Sequence, residues 1–121
     1  MTVATTGNVR AMESPVVRVW KGFGTAEGVE TYCRGHFAET VLPGLQALDG
    51  FLDANLLVRP CGDETEVVVA TVWESLAAVK AFAGDDYERA VVEPIVSDLL
   101  ARFDEHATHF TLALAHHRRG I

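Results

Sequence analysis

Hydrophobic positions follow two different spacings within one stretch of the chain, residues 66–84. Residues 67–72 form a continuous run rich in β-branched side chains (VVVATV), which is typical of a strand buried on both faces. After Trp73 the apolar residues recur at helical spacing. Ser75 is suited to cap that helix, and Gly84 is suited to end it. The pattern predicts a central strand that runs directly into a short helix, with a tryptophan at the junction.

A strand and a long helix are predicted before this stretch. Val16–Phe23 alternates between two faces and is followed by glycine. Thr25 is suited to cap a helix that runs to about Leu48 and carries its apolar residues on one stripe. Pro43-Gly44 lies inside this helix. Because proline lacks the backbone donor and clashes with the preceding turn, we expect a kink or a break before Leu45.

The remaining elements follow from turn residues and apolar runs. Phe51–Arg59 is predicted to be the second strand, joined by a loop over Pro60–Thr65 to the third strand, which begins at Glu66. These two strands form a predicted hairpin. Tyr87–Phe103 is expected to contain at least one further helix, and His106–Ala115 is predicted to be the last strand.

The order of elements is strand, helix, strand, strand, helix, strand, which is the split βαβ pattern repeated once. It predicts an α+β, ferredoxin-like domain with a four-stranded antiparallel sheet whose helices cover one face. The third strand is apolar on both faces, and the second strand offers Leu52, Ala54, Leu56 and Val58 on a single face. The uncovered sheet face therefore needs a partner. A second copy of the chain is the simplest one, and we expect a homodimer with its sheets packed face to face.

Length and charge limit the classes of function. The 121 residues suit one domain over residues 15–115, with a flexible tail over 1–14 and a second tail over 116–121. A net charge of −7 disfavours binding to nucleic acid or to an anionic membrane surface. The sequence has no apolar run of roughly 18 residues and no pattern of a secretion signal. Cys33 and Cys61 stand apart from each other, so we expect free thiols in a cytoplasmic protein and no metal site.

Four stretches together resemble the antibiotic biosynthesis monooxygenase (ABM) domain family. They are VVRVWKG at the start of the domain, ETVLPGLQALDGF in the long helix, TVWESLAAVKAFAGDD at the strand–helix junction and ARFDEHATHFTL near the end. The resemblance covers about residues 16–115. It implies a dimeric α+β barrel. It also implies oxidation of an aromatic, polyketide-like or quinol-like small molecule by a monooxygenase that needs neither metal nor flavin.

The same family contains haem-degrading members, and the resemblance lets that branch be tested. Those members use a first-strand asparagine, a tryptophan at the end of the third strand and a histidine on the following helix as the iron ligand. Trp73 matches the tryptophan. The first strand contains no asparagine, and residues 87–92 contain no histidine. Haem as a cofactor is therefore possible but disfavoured, and we expect no cofactor.

Four residues are candidates for catalysis. Trp73 matches the family position, although a buried tryptophan can also be simple core packing. Asn55 could orient a substrate oxygen, or it could lie on a solvated strand face or in a dimer interface. His36, on the long helix, could be a general base or a half-exposed structural histidine. His109 is preferred over His106 because small residues beside it leave room for a ligand.

Four aromatic residues are candidates for substrate binding, namely Tyr87, Phe82, Trp20 and Phe37. Tyr87 could donate to a substrate oxygen or could simply pack as a lid residue. Three functions remain open at this stage. The first is cofactor-independent oxygenation of a small aromatic molecule, the second is a non-catalytic small-molecule-binding or scaffold dimer, and the third is haem binding.

Overall fold

A computed structural model describes residues 14–116, so most of both predicted tails lies outside the described residues. The elements in chain order are β1 (Val16–Gly24), α1 (Ala26–Glu30), a π-helical segment (Thr31–Val41), α2 (Leu42–Gln46), β2 (Phe51–Cys61), β3 (Glu64–Trp73), α3 (Leu76–Ala83), α4 (Val96–Leu99), β4 (Arg102–Phe103) and β5 (Thr108–Thr111). We call α1, the π-helical segment and α2 together the long helix.

The sheet is antiparallel and has the strand order β2-β3-β1-β4, with β5 also paired to β1. This order confirms the predicted ferredoxin-like α+β fold. The fourth place in the sheet holds two short strands rather than the single strand predicted over His106–Ala115. Residues 105–107 leave the sheet between them and bind residues 88–90 instead, through Ala90 N–H to Glu105 O (2.8 Å) and Ala107 N–H to Glu88 O (2.7 Å).

The region between α3 and β4 contains less helix than the sequence pattern predicts. Only α4 is helical there, and residues 90–93 are irregular. Pro94 explains part of this difference, because proline disfavours helical backbone at the residue before it and so keeps a helix from entering from Glu93. The irregular residues remain available to form the wall of a cavity.

The long helix runs through Pro43, so of the predicted kink or break before Leu45 the break does not occur. Thr25 caps its start, with the Thr25 hydroxyl accepting from Gly28 N–H at 2.9 Å. In the π-helical segment the hydrogen bonds reach one residue further back, so Leu42 N–H donates to Phe37 O. The change from π to α hydrogen bonding falls next to Pro43, which has no N–H to donate, and the helix accommodates the proline there.

The two faces of the sheet differ in what covers them. The inner face packs against the helices and carries Val16, Arg18 and Trp20 from β1, Val67, Val69, Thr71 and Trp73 from β3, and Ala54, Leu56 and Val58 from β2. The open face carries Val17, Val19, Leu57, Val68, Ala70, Val72 and Phe110. The apolar side of β2 therefore faces the helices. The apolar character of the open face comes mainly from β1 and β3.

Gly28 lies where the long helix touches Leu99, the last residue of α4. A Cβ added at Gly28 would overlap the backbone carbonyl of Leu99, whereas a Cβ at Gly44, also in the long helix, would meet nothing within 4 Å. Backbone cannot move aside as the end of a flexible side chain can, so this contact requires glycine.

Gly28→Ala is expected to lower the free energy of unfolding by about 1–3 kcal/mol, because overpacking outweighs the higher helix propensity of alanine. Gly44→Ala is the matched control and is expected to be neutral or stabilising by up to about 1 kcal/mol. Urea denaturation followed by circular dichroism measures both. Equal stability of the two variants would show that the close approach at Gly28 is not a constraint.

Candidate functional site

A cavity of about 80 Å³ lies between the inner face of the sheet and the long helix. Its aromatic walls are Trp20, Tyr32, Phe37, Trp73 and Phe82, and its polar walls are Arg18, His36, Thr71 and Glu93. Residues 90–93 close one side. Seven aliphatic residues complete the lining, so the space is partly open and mainly apolar. A mainly apolar space with a few converging polar groups is the usual form of a small-molecule site.

The strand–helix junction builds the aromatic end of the cavity. Trp73 has an exposed fraction of 0%, and its indole N–H donates to the Thr71 hydroxyl at 2.9 Å. Ser75 caps α3 as predicted, with its hydroxyl accepting from Ala78 N–H at 3.1 Å. The helix that starts there brings the ring of Phe82 over Trp73, with 5.1 Å between centroids and 26° between planes. Trp73 and Phe82 therefore lie together in the cavity wall.

His36 lines the cavity and is paired with Glu93. Its Nε2 lies 3.2 Å from Oε1 of Glu93, and the His36 side chain is only 7% exposed. The ring of Tyr32 is 6.0 Å from that of His36, and burial raises the pKa of Tyr32 far above its usual range. A buried imidazole held by a carboxylate is an arrangement that can accept a proton from a ligand and stabilise the resulting positive charge.

Arg18 is a buried cation in the cavity wall and is 6% exposed. Its guanidinium donates to Tyr87 O at 2.5 Å and to Arg89 O at 3.1 Å, and it lies 2.9 Å from Nε2 of His109. Burial lowers the pKa of Arg18 from its ordinary value. The sequence analysis left Arg18 out of the site candidates, although its place beside Val16 and Trp20 on the same strand face was visible in the alternation.

His109 and Tyr87 lie behind Arg18, along an open groove rather than in the cavity. Their rings contact edge to face at 5.1 Å. Burial and the positive charge of Arg18 lower the pKa of His109 from its ordinary value. Since Arg18 is a donor, Nε2 of His109 must accept, so the imidazole is neutral and carries its proton on Nδ1.

The structure brings together some of the predicted site residues and separates others. Trp73, His36, Phe82, Trp20 and Phe37 all line the cavity. Asn55 lies opposite Ala70 on the open face of the sheet and is exposed, so it is not near Trp73.

Glu93 is a site residue that the sequence analysis missed. It follows no periodic pattern, because it belongs to an irregular segment, and only the fold brings it to His36. Thr71 and Tyr32 line the cavity as well. Both belong to elements whose inner face was predicted, so their alternation and helical spacing were signals that could have identified them.

The cavity does not fit a haem. A space of about 80 Å³ is far smaller than a porphyrin, and the segment that closes it, residues 90–93, contains no histidine. His36, the only histidine that lines the cavity, is bound to Glu93. Across residues 14–116, no group of three or more His, Cys, Asp and Glu side chains is placed to hold a metal ion.

The fold is that of a ferredoxin-like protein with a cavity between its sheet and its long helix. The family model for antibiotic biosynthesis monooxygenase matches residues 19–94, so the chain belongs to this family. A crystal structure of a Bacillus cereus protein, named among the antibiotic biosynthesis monooxygenases, is similar in fold. It has a TM-score of 0.60 and 17% identity, over 87% of this chain and 99% of that one. No curated protein matches the chain.

None of the helices found between residues 14 and 116 combines the length and the apolar character needed to cross a membrane.

The lowered pKa of His109 predicts how stability depends on pH. The unfolded chain binds a proton at the ordinary histidine pKa of about 6.5, whereas the folded protein binds it only at lower pH. The stability that neutral His109 provides is therefore complete above the ordinary pKa of about 6.5. It is lost as the pH falls from there through the lower pKa of the folded protein. The free energy of unfolding of wild type should decrease more steeply between about pH 7 and pH 5 than that of His109→Gln.

Urea denaturation at several pH values measures this difference. His106→Gln is the matched control and should keep the wild-type slope, because His106 is exposed and pairs with Arg89 through the backbone only. Identical slopes for wild type and His109→Gln would show that the contact with Arg18 does not hold His109 neutral.

Proposed function

We propose that this protein is a monooxygenase that oxidises a small aromatic, quinol-like molecule with O₂ and without a metal, flavin or haem. Membership of the antibiotic biosynthesis monooxygenase family supports the reaction class. The observation that carries the proposal is the buried His36 side chain, paired with the half-exposed Glu93, in a cavity with aromatic residues in its walls. A general base and a dry aromatic space are what such a reaction requires of a protein.

The residues of the cavity take separate roles in this proposal. The rings of Trp73, Phe82 and Phe37 contact the two faces and the edge of the substrate ring. His36 accepts the proton of the ring hydroxyl, and the Glu93 carboxylate stabilises the imidazolium that forms. The electron-rich anion then reduces O₂ by one electron. When a ring CH₂ group becomes a carbonyl, the second oxygen atom leaves as water, so the substrate supplies all the electrons and no reductant is needed.

The size of the cavity limits the substrate and supports a second candidate function. About 80 Å³ is less than the roughly 150 Å³ of an engineered cavity that binds benzene. Any aromatic ring, and a polycyclic substrate most of all, would therefore require the irregular residues 90–93 to move outward. If they do not move, the cavity suits a smaller ligand, and the protein is a small-molecule-binding dimer without catalysis.

Oxygen uptake by protein treated with a chelator, in the presence of an anthrone-type phenol, tests the oxygenase function. We expect uptake well above the buffer rate, a decrease of about 10²–10⁴-fold in His36→Gln, since a general base contributes that much, and no change in His106→Gln. Wild-type uptake at the buffer rate would exclude this reaction. Binding of the same phenol without uptake would then favour the binding protein.

We also propose that the protein is a homodimer through the open face of the sheet. Val17, Val19, Val68, Ala70 and Val72 form a continuous apolar centre there, and Leu57 and Phe110, which are 57% and 55% exposed, extend it. Two such faces packed together would remove this surface from water. Asn55 lies on the same face, so its amide would be an interface group rather than a catalytic one.

Sedimentation equilibrium tests the dimer. Wild type is expected to have twice the chain mass, and Val68→Lys at the centre of the open face should produce monomers, because each interface would have to bury an unpaired ammonium group. Glu39→Lys, on the exposed side of the long helix, makes a larger change of charge and should leave the dimer intact. A monomeric wild type would refute the proposal.

A further inference from the structure

Within residues 14–116, the buried guanidinium of Arg18 has no carboxylate partner. The four ion pairs found among residues 14–116 involve other residues: Arg34 with Glu30, His36 with Glu93, Arg59 with Glu66, and Arg102 with Glu64. The groups that do contact Arg18 are two backbone carbonyls and a neutral imidazole. A buried cation usually needs an anion to offset the loss of its hydration. Dipoles alone offset only part of this cost.

The donors of Arg18 are not all used by the protein. A guanidinium carries five N–H groups, and its hydrogen bonds within the described part of the chain occupy three of them. The side chain lines the cavity and lies 5.7 Å from the ring centroid of Phe82, which is stacked on Trp73. A ring held against these two aromatic residues would have its substituent next to a positive charge.

The charges at the other side of the cavity do not compete with Arg18. Glu93 lines the cavity too, but its carboxylate is bound to His36 on the long helix. The ring of Tyr32 lies 6.0 Å from that of Trp20 on β1 and 6.0 Å from that of His36. Arg18 from β1 and His36 from the long helix therefore both line this cavity, and the carboxylate there is paired with His36 rather than with Arg18.

We propose that Arg18 binds the negative substituent of the ligand, so that the cavity takes a small aromatic anion, with either a carboxylate or an ionised hydroxyl on the ring. This inference rests on the proposed function and specifies the chemical class of its substrate. Arg18 would stabilise the charge that remains on oxygen after His36 has taken the proton. The planar guanidinium suits either group, because it donates to one or two oxygens in a fixed geometry.

Binding of matched probes in the absence of O₂ tests the charge preference. Benzoate and benzamide have nearly the same shape and differ in charge, and quenching of tryptophan fluorescence at constant ionic strength reports their binding next to Trp20 and Trp73. We expect wild type to bind benzoate about 10- to 100-fold more tightly than benzamide, which is the range for a hydrogen bond to a charged group. Arg18→Gln should lose this preference, and Arg18→Lys should keep part of it.

Arg34→Gln is the matched control, because it removes the same charge from an exposed position on the long helix, where Arg34 pairs with Glu30. It should keep the preference of wild type. A second probe, 4-nitrophenol, distinguishes the two kinds of anion, since its visible absorption reports whether the bound hydroxyl is ionised. Wild type and Arg34→Gln should ionise the bound phenol at lower pH than Arg18→Gln does, a change that a purely structural role of Arg18 would not produce.

The outcomes separate this inference from the proposed function. Equal affinity of wild type for benzoate and benzamide would overturn the inference and leave an aromatic cavity in which Arg18 only anchors residues 87–89. This comparison needs no variant, so it holds even if Arg18→Gln does not fold. A preference for benzoate that disappears in Arg18→Gln would support the inference even if oxygen uptake fails. Binding of none of these probes would overturn the inference, whereas oxygen uptake with the anthrone-type phenol decides the proposed function separately.

Discussion

The structure depends on one buried charge at the centre of the sheet. Arg18 lies on the inner face of β1, the strand that pairs with β3, β4 and β5, and its guanidinium binds the carbonyls of Tyr87 and Arg89. These bonds hold residues 87–89, which are not helical, against the inner face of the sheet. Without them a helix would be needed to cover that part of the sheet. Because that segment continues into residues 90–93, the same bonds determine where the cavity is closed.

The cavity combines rigid and less regular parts in a way that suits a ligand site. Trp73 and Phe82 are fixed by a strand and a capped helix that follow each other directly in the chain. Glu93 and its neighbours belong to a segment held by a few side-chain and backbone bonds. Such segments open locally at a lower free energy than core strands do. The aromatic wall can therefore stay in place while the opposite wall admits a ligand.

The cavity residues that lie on strands and helices could be predicted from the sequence. Those on irregular segments became known only from the tertiary structure. Trp73, Phe82 and His36 follow strand or helical periodicity, and periodicity identifies the face on which a side chain lies. Asn55 shows the limit of this argument. Alternation placed it on one face of β2, but the side of the sheet that the helices cover depends on how the whole chain packs. Glu93 had no signal, since an irregular segment has no period.

The sequence by itself determined the elements up to α3 and the order that makes the fold ferredoxin-like, because capping residues and apolar spacing act over a few neighbouring positions. It did not determine the irregular backbone of residues 90–93 or the division of the last strand in two. It also carried the resemblance that the family match confirms. Only the tertiary structure decided that Arg18 is a buried cation, that Glu93 meets His36, and that His109 lies behind the cavity rather than in it. Each of these facts joins residues more than 50 positions apart in the chain, and no local pattern specifies such contacts.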